Sequence, residues 1–550
     1  MGRSYAWALA HALLAGMISA AEISGECALA TTPTTATTVF VPTTIYISAP
    51  STAIIPGGDY CGIGTTSTTR GPLPTSSSAT TTEATIPTST ISFPTSSSSL
   101  SRRISSISFS SGRPTITDRG NSSATRTSSL SSRSVTSFPT PTSIRGLPPP
   151  PPSPGPFKGY KNSVYFTNWG ISQAGYPPQK LPVDDLSHVL YAFADIAPNG
   201  TVLSADPVAD LKQKYPQDDS DDGNRGKAGG PNAYGAVKQL YIHKKWNRNL
   251  KVLLSVGGGA YSPKFAAATS TEMRRQTFAK SAVKLVTDWG FDGVDIDWEY
   301  PTSETEKQNL VKLLAACRDA FDSYSFRNRV RYRFLVTVAS PATPSTWKFV
   351  DLPQMDRYVD VWHLMSYDYA GSWHPQSAHQ ANVFANKANP ASTPSNMDDA
   401  VRYYASQGID TQKIVVGLPL YGRSFNGTSG LGQNYTAVGT AGPQWYYKNL
   451  PRPGAREEFD DIAKATYSYD RAARELVSYD NVRSTVSKAQ YVRERRLGGA
   501  FFWEASGDRT DGKSLLKTMS RTLDWVDGTP NNLHYPTSQY QNIRLGLPWE

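Results

Sequence analysis

The chain has 550 residues, of which 38% are hydrophobic and 18% charged, with a formal net charge of +10. That balance invites a nucleic-acid partner, but Lys and Arg are scattered along the sequence, so no nucleic acid is expected to bind. Three cysteines are too few for a disulfide-built fold, and their spacing shows no metal or redox framework.

Residues 1–21 carry one early Arg3, an uncharged apolar run and then the small residues Ser19 and Ala21 at the spacing of a cleavage site. This is the pattern of a secretory signal peptide, and it is short for a membrane span. From 22 to 156 Ser, Thr and Pro dominate, in runs such as TSSSATTTEATIPTSTISFPTSSSSLS, and large apolar residues are sparse. Such a segment cannot bury enough surface to offset its ordering entropy, so a disordered stalk is expected, closing in an extended spacer at Pro148–Pro156. Cys27 and Cys61 flank its start and could close one disulfide loop in an oxidising compartment.

From residue 157 aromatic and aliphatic residues return, and the chain reads as one large domain, 157–527. A polar extension, 528–550, follows it and lacks the hydrophobic tail of a lipid anchor. Eight strand-sized runs recur in the domain: SVYFTN (163–168), HVLYAFA (188–194), KVLLSVG (251–257), GVDIDW (293–298), FLVTVA (334–339), VWHLMSY (361–367), KIVVGLPL (413–420) and GAFFW (499–503). Segments of helical periodicity separate them. One puts Phe278, Ala282, Leu285, Val286 and Trp289 on a single stripe; another does the same with Leu310, Leu313, Leu314, Cys317 and Phe321, which makes Cys317 a buried free thiol. Eight β/α units in one domain predict a closed (β/α)8 TIM barrel of the α/β class over an open doubly wound sheet. Residues 421–498 separate the last two runs, far more chain than one helix and two loops need. A small α+β insertion is expected there, standing on the barrel's C-terminal rim as one wall of a cleft. Sequons at Asn121, Asn199, Asn426 and Asn434 fit a secreted protein.

The fourth run lies in FDGVDIDWEYP (291–301), which places Asp292, Asp295, Asp297 and Glu299 within eight positions. Strand alternation puts Asp295, Asp297 and Glu299 on one face and Val294, Ile296 and Trp298 on the other. In a barrel one face is the lumen, so three carboxylates climb its inside and Glu299 reaches the C-terminal mouth. Neighbouring carboxylates in a low-dielectric space cannot all ionise cheaply, so a proton is shared and one pKa is raised, as a general acid requires. The apolar flanks disfavour a merely solvated acidic face. A divalent-metal site is disfavoured because no acid or histidine at another strand end completes a shell, and neither metal nor cofactor is expected. Asp292 breaks the alternation and is expected to be a turn or helix-linking residue.

Asp292-x-x-Asp295-x-Asp297-x-Glu299, LLSVGG (253–258), MSYDYAGSW (365–373), GLPLYGR (417–423) and LGGAFFWEASGD (497–508) fall in order at strand ends. With these motifs the chain resembles glycoside hydrolase family 18, the chitinases, over 158–523, and its insertion is similar to that of secreted fungal and bacterial members with a deep, walled cleft. The resemblance implies hydrolysis of β-1,4-N-acetylglucosamine linkages by a retaining, substrate-assisted mechanism. It makes Glu299 the acid and base and gives Asp297 the substrate's acetamido N–H. Asp295 would hold the shared proton from beneath, Tyr367 would orient the acetamido carbonyl, and Asp368 would shape that pocket. Trp503 would floor the site under the cleaved sugar, with Tyr165, Phe193, Ser255, Trp298, Met365, Trp373, Tyr421 and Arg423 lining the cleft. His363 and His379 are read as structural.

The implied partner is chitin or chito-oligosaccharide, bound by a monomer that is secreted, extracellular or wall-associated, without a membrane anchor. Gly259 stands where many relatives carry a tryptophan that stacks on the sugar beyond the scissile bond, so weaker aglycone binding is expected. Tyr446 stands where relatives often have an acid. Two alternatives are an endo-β-N-acetylglucosaminidase acting on N-glycans and a chitin-binding lectin. The insertion with GLPLYGR and WEASGD weighs against the first, and the presence of Glu299 against the second.

Overall fold

The structure, a computed structural model, describes residues 157–218, 231–438 and 444–547. The signal-peptide and stalk readings, Pro148–Pro156, Cys27, Cys61 and Asn121 lie outside them.

Eight parallel strands close a barrel: β1 (Lys161–Thr167), β2 (His188–Ile196) with its antiparallel hairpin partner β3 (Val202–Ser204), β4 (Lys251–Gly257), β5 (Gly293–Asp297), β6 (Leu335–Pro341), β7 (Val361–Met365), β8 (Ile414–Pro419) and, after six further strands, β15 (Gly499–Trp503). Closure is explicit, since β1 pairs with both β2 and β15. Each of the eight runs read from the sequence contains or overlaps one of these strands. The outer layer carries α1 (Gly235–Trp246), α2 (Glu272–Trp289), α3 (Glu304–Asn328), α4 (Met397–Ser406), α5 (Val482–Glu494) and α6 (Leu515–Leu523). Local chemistry sets the helix ends: the Thr271 hydroxyl accepts the Arg274 N–H at the start of α2, and Gly290 in the left-handed region ends it.

Alternation then divides the side chains. Val294, Ile296, Val336, Val338, Leu364, Val416 and Phe502 face the helices and form the main core. Tyr165, Phe193, Leu253, Ala339, Met365, Val415 and Phe501 face inward and fill the lumen. Cys317 is a buried free thiol on α3, and burial pushes its pKa up to about 12.

The long connection after β8 is an antiparallel sheet. It is built on β9 (Tyr421–Asn426) with β10 (Ala437–Val438), β11 (Gln444–Tyr446), β12 (Arg456–Asp460), β13 (Ala465–Asp470) and β14 (Glu475–Tyr479). Its helical part, α5, returns to the outer layer against α6 and β15. Among the described residues no helix is long and apolar enough to cross a membrane.

The extension after 527 seals the barrel's N-terminal face. The Asn531 amide donates to the carbonyls of Lys244, Asn247 and Leu250 at 2.9, 3.1 and 2.8 Å. The Tyr535 hydroxyl donates to Phe291 O at 2.8 Å, and the Asn532 N–H to Asp292 Oδ1 at 2.9 Å. Asp292 Oδ2 accepts the Val252 N–H at 2.8 Å and pairs with Lys244 Nζ at 2.9 Å, both side chains wholly buried. Asp292 therefore does more than link α2 to β5: it clasps β4, α1 and the C-terminal extension together.

Burial already lowers the Lys244 pKa to about 8. Asp292→Ala would leave that ammonium buried without its counter-charge, and a loss of about 3–5 kcal/mol in urea-denaturation stability is expected.

Candidate active site

Asp295 sits midway up the lumen with every lone-pair direction engaged. Its Oδ2 accepts the Tyr165 hydroxyl at 2.9 Å and Ser255 Oγ at 2.8 Å. Its Oδ1 accepts Thr337 Oγ1 at 2.6 Å and faces His363 Nδ1 at 3.3 Å. Ser255 and Thr337 are its register partners on the flanking strands, so parallel pairing itself delivers both hydroxyls. Burial works to raise the Asp295 pKa, but the bonds led by His363 outweigh it and hold the carboxyl below its usual range.

Asp297, one step up the same face, is in the opposite condition. Burial first, then the charges of Glu299 and Asp295, push it far above the usual range. Its Oδ1 is buried with no hydrogen-bond partner among the described residues. Glu299 follows at the mouth, raised to about 7 by burial and then by Asp368, against the opposing pull of the Gly259 N–H. Asp295, the aspartate expected to hold the shared proton, is surrounded by donors, whereas Asp297 is not.

The backbone that carries this column is held by short contacts. Ser262 Oγ accepts the Glu299 N–H at 2.7 Å and donates to Asp297 O at 3.2 Å. Gly257, at φ +113°, passes so close that a Cβ there would lie 2.2 Å from Asp297 O. Sequence reasoning missed Ser262, whose position four residues beyond the end of the third-strand motif (LLSVGG, 253–258) was its only signal.

Across the mouth, Tyr367 follows β7 with its ring 5.9 Å from Phe501 and directly over Gly417, where a Cβ would come within 2.6 Å of the ring. Burial leads the upward push on its hydroxyl pKa, so it remains a proton donor. Asp368 accepts the Tyr421 hydroxyl at 2.6 Å and the Arg423 guanidinium at 2.9 and 2.7 Å. Arg423 also lies 4.9 Å over the Trp373 ring. Trp503 is half-buried, with Phe193 stacked on it at 5.7 Å and Tyr165 at 5.2 Å. Trp169 completes this aromatic group at 5.9 Å from Phe193 and 6.4 Å from Trp503, and sequence reasoning missed it too, although it directly follows the first strand.

Several expected cleft residues occupy other places. Trp298 points outward and stacks on Phe265 at 5.2 Å, as its even position in the strand dictates. Ser255 is wholly buried and committed to Asp295, as is the Tyr165 hydroxyl, so both brace the column instead of lining the cleft. Tyr421 and Arg423 are buried behind Asp368, and Met365 belongs to the lumen cluster. His379 is buried near the insertion, with Nε2 3.4 Å from Asp460 Oδ2. Gly259 is exposed; Tyr446 is 40% exposed and pairs in register with Tyr421. Among the described residues no cluster of three His, Cys, Asp or Glu side chains could hold a metal ion.

Residues 161–508 match the profile of glycosyl hydrolases family 18. The chain belongs to this family. Endochitinase 1 of Metarhizium robertsii is 46% identical over 389 residues, 70% of this chain and 90% of that protein. A solved chitinase from Bacillus thuringiensis superposes with a TM-score of 0.61 at 27% identity, covering 68% of this chain and 71% of its own. A family 18 chitinase from Cycas revoluta, solved in complex with (GlcNAc)3, does so at 0.55 and 28%, covering 66% and 99%. Family membership makes the protein a glycoside hydrolase, and the carboxylate column stands at the barrel's C-terminal mouth, where such barrels carry their chemistry.

The raised Glu299 carboxyl costs stability in a defined window. Between its ordinary value of 4.5 and about 7 the folded protein holds a proton that the unfolded chain releases, so stability falls as pH rises through that range. Glu299→Gln removes this cost: relative to wild type it should gain on the order of 2–3 kcal/mol between pH 4 and pH 8 in parallel denaturation curves.

Proposed function

We propose that the protein is a secreted chitinase that hydrolyses β-1,4-N-acetylglucosamine linkages with net retention, using Glu299 as acid and then base. The observation that carries this reading is the pairing of Glu299, held near neutrality at the mouth, with a buried, unpartnered oxygen of Asp297 beneath it. A retaining enzyme with its own nucleophile would need a second ionised carboxylate open to the sugar; here Asp295 is sealed under four donors. An acetamido N–H from the substrate would satisfy the Asp297 oxygen instead. The Metarhizium relative, an endochitinase, and the (GlcNAc)3 complex of the Cycas chitinase support the same substrate. Secretion is supported by the signal-peptide pattern and by sequons at the exposed Asn199 and Asn434; Asn426 is half-buried.

In this reading the proton on Glu299 passes to the glycosidic oxygen as the C1–O bond breaks and the leaving sugar departs as an alcohol. The acetamido carbonyl oxygen, oriented by the Tyr367 hydroxyl, bonds to C1 and forms an oxazolinium ion. Asp297 accepts the acetamido N–H and stabilises the positive charge there. Water then gives a proton to ionised Glu299 and attacks C1, reopening the ring with the original anomeric configuration. Trp503 offers its ring to the flat face of the distorted sugar.

Glu299→Gln should lower kcat on chito-oligosaccharides by about 10²–10⁴-fold. Wild-type rate should fall on the alkaline side of about pH 7 as Glu299 loses its proton. Parallel assays on an N-glycoprotein separate the endoglycosidase alternative, and an inert wild type would favour a lectin; undiminished hydrolysis by the variant would sink the mechanism.

Gly259 opens onto free space, where a Cβ would meet only Glu299 Oε1 at 3.9 Å. Gly259→Trp should therefore be accommodated and add about 1 kcal/mol of aglycone-side stacking, seen as a higher transglycosylation yield. An unchanged product pattern would count against this.

A further inference from the structure

His363 projects from β7 into the lumen, wholly buried, with its ring 5.2 Å from Phe501 and 6.4 Å from Tyr165. The mechanism proposed above assigns it nothing, and a buried histidine is ordinarily a satisfied core residue. Its surroundings argue for more. The carboxylate in contact with it is Asp295, whose Oδ1 lies 3.3 Å from Nδ1. The other titratable groups facing it are Tyr165 on β1, whose hydroxyl is itself spent on Asp295, and His188 on β2, lower in the barrel. An ionised Asp295 can only accept, so the nitrogen that meets it then carries the hydrogen. With Tyr165, Ser255 and Thr337 also placed to donate, protonating Asp295 would forfeit the imidazole bond or turn one of these hydroxyls from donor to acceptor. Asp297 meets no such obstacle, because one of its oxygens is buried without any donor.

We propose that His363 is a positioning residue: its Nδ1–H locks Asp295 as an anion and so obliges the resting proton of the aspartate pair to sit on Asp297, directly beneath Glu299. The directions in which burial and bonding shift the two aspartates agree with this placement. Asp297 then presents a neutral neighbour to Glu299 before the sugar binds, and Glu299 does not face an anion while it awaits the proton it must deliver. Removing the imidazole donor lets Asp295 draw the proton down, leaving Asp297 charged. The catalytic consequence rests on the chitinase reading, whereas the position of the proton does not.

The test compares wild type with His363→Leu, which keeps bulk and loses the donor, and His363→Asn, whose amide can still donate. For His363→Leu the acidic limb of kcat/KM on chitotetraose should move up by about one pH unit, since the anion at Asp295 is no longer held. His363→Asn should stay close to wild type. Infrared difference spectra read the proton independently of turnover: the protonated-carboxyl band of resting wild type should weaken in Asp297→Asn and persist in Asp295→Asn, with the pattern reversed in the His363→Leu background. Superimposable pH profiles for wild type and His363→Leu, or a wild-type band that weakens in Asp295→Asn instead, would overturn the proposal. If His363→Leu fails to fold, the two aspartate variants alone decide where the proton lies. A wild type inert on chitotetraose would remove the chitinase reading and leave the infrared result standing.

Discussion

Three carboxylates one above another in a closed lumen cannot all carry charge, and the barrel resolves this by giving them different partners. Asp295 receives hydrogen bonds from four side chains on four other strands, β1, β4, β6 and β7. Asp297 receives none on its buried oxygen, and Glu299 opens to the mouth. Donors thus gather at the bottom of the column and are missing from the buried oxygen above it, the order that the proposed general acid at the mouth requires. Each donor comes from a position fixed by strand register, so the electrostatics of the site follow from the pairing of the sheet.

The rest of the molecule keeps that register. At the base, the Asp292–Lys244 pair and the strap of residues 531–547 tie β4 and α1 to the segment entering β5. At the mouth, Ser262 and the close pass of Gly257 hold the backbone from Asp297 to Glu299. A slip of one residue in β5 would send all three carboxylates into the helix layer and bring Val294, Ile296 and Trp298 into the lumen. The insertion contributes more to shape than to chemistry: Tyr421 and Arg423, from its first strand, hold Asp368 against the pocket that Tyr367 borders.

Much of this was legible before any coordinates. Eight apolar runs at barrel spacing, and the period-two placement of Asp295, Asp297 and Glu299, are local patterns, and local patterns survive in a one-dimensional string. The same period correctly sends Trp298 outward, and only the family resemblance had drawn it into the cleft. Ser255, Tyr165 and Arg423 were found as residues of the site but with the wrong partner, because each spends its polar group on another side chain brought close only by closure of the barrel. Trp169, Ser262 and the donating face of His363 went unread for the same reason.

The sequence by itself determined the alternation of strands and helices, the inward face of β5 and the carboxylate at its end, since all three rest on periods of two and 3.6 residues. Only the tertiary structure decided which aspartate gathers the donors, why Asp292 is buried, and which aromatics meet Trp503. Those depend on contacts between strands separated by tens to hundreds of residues, and a pKa or a ring stack is a property of the neighbours that closure supplies.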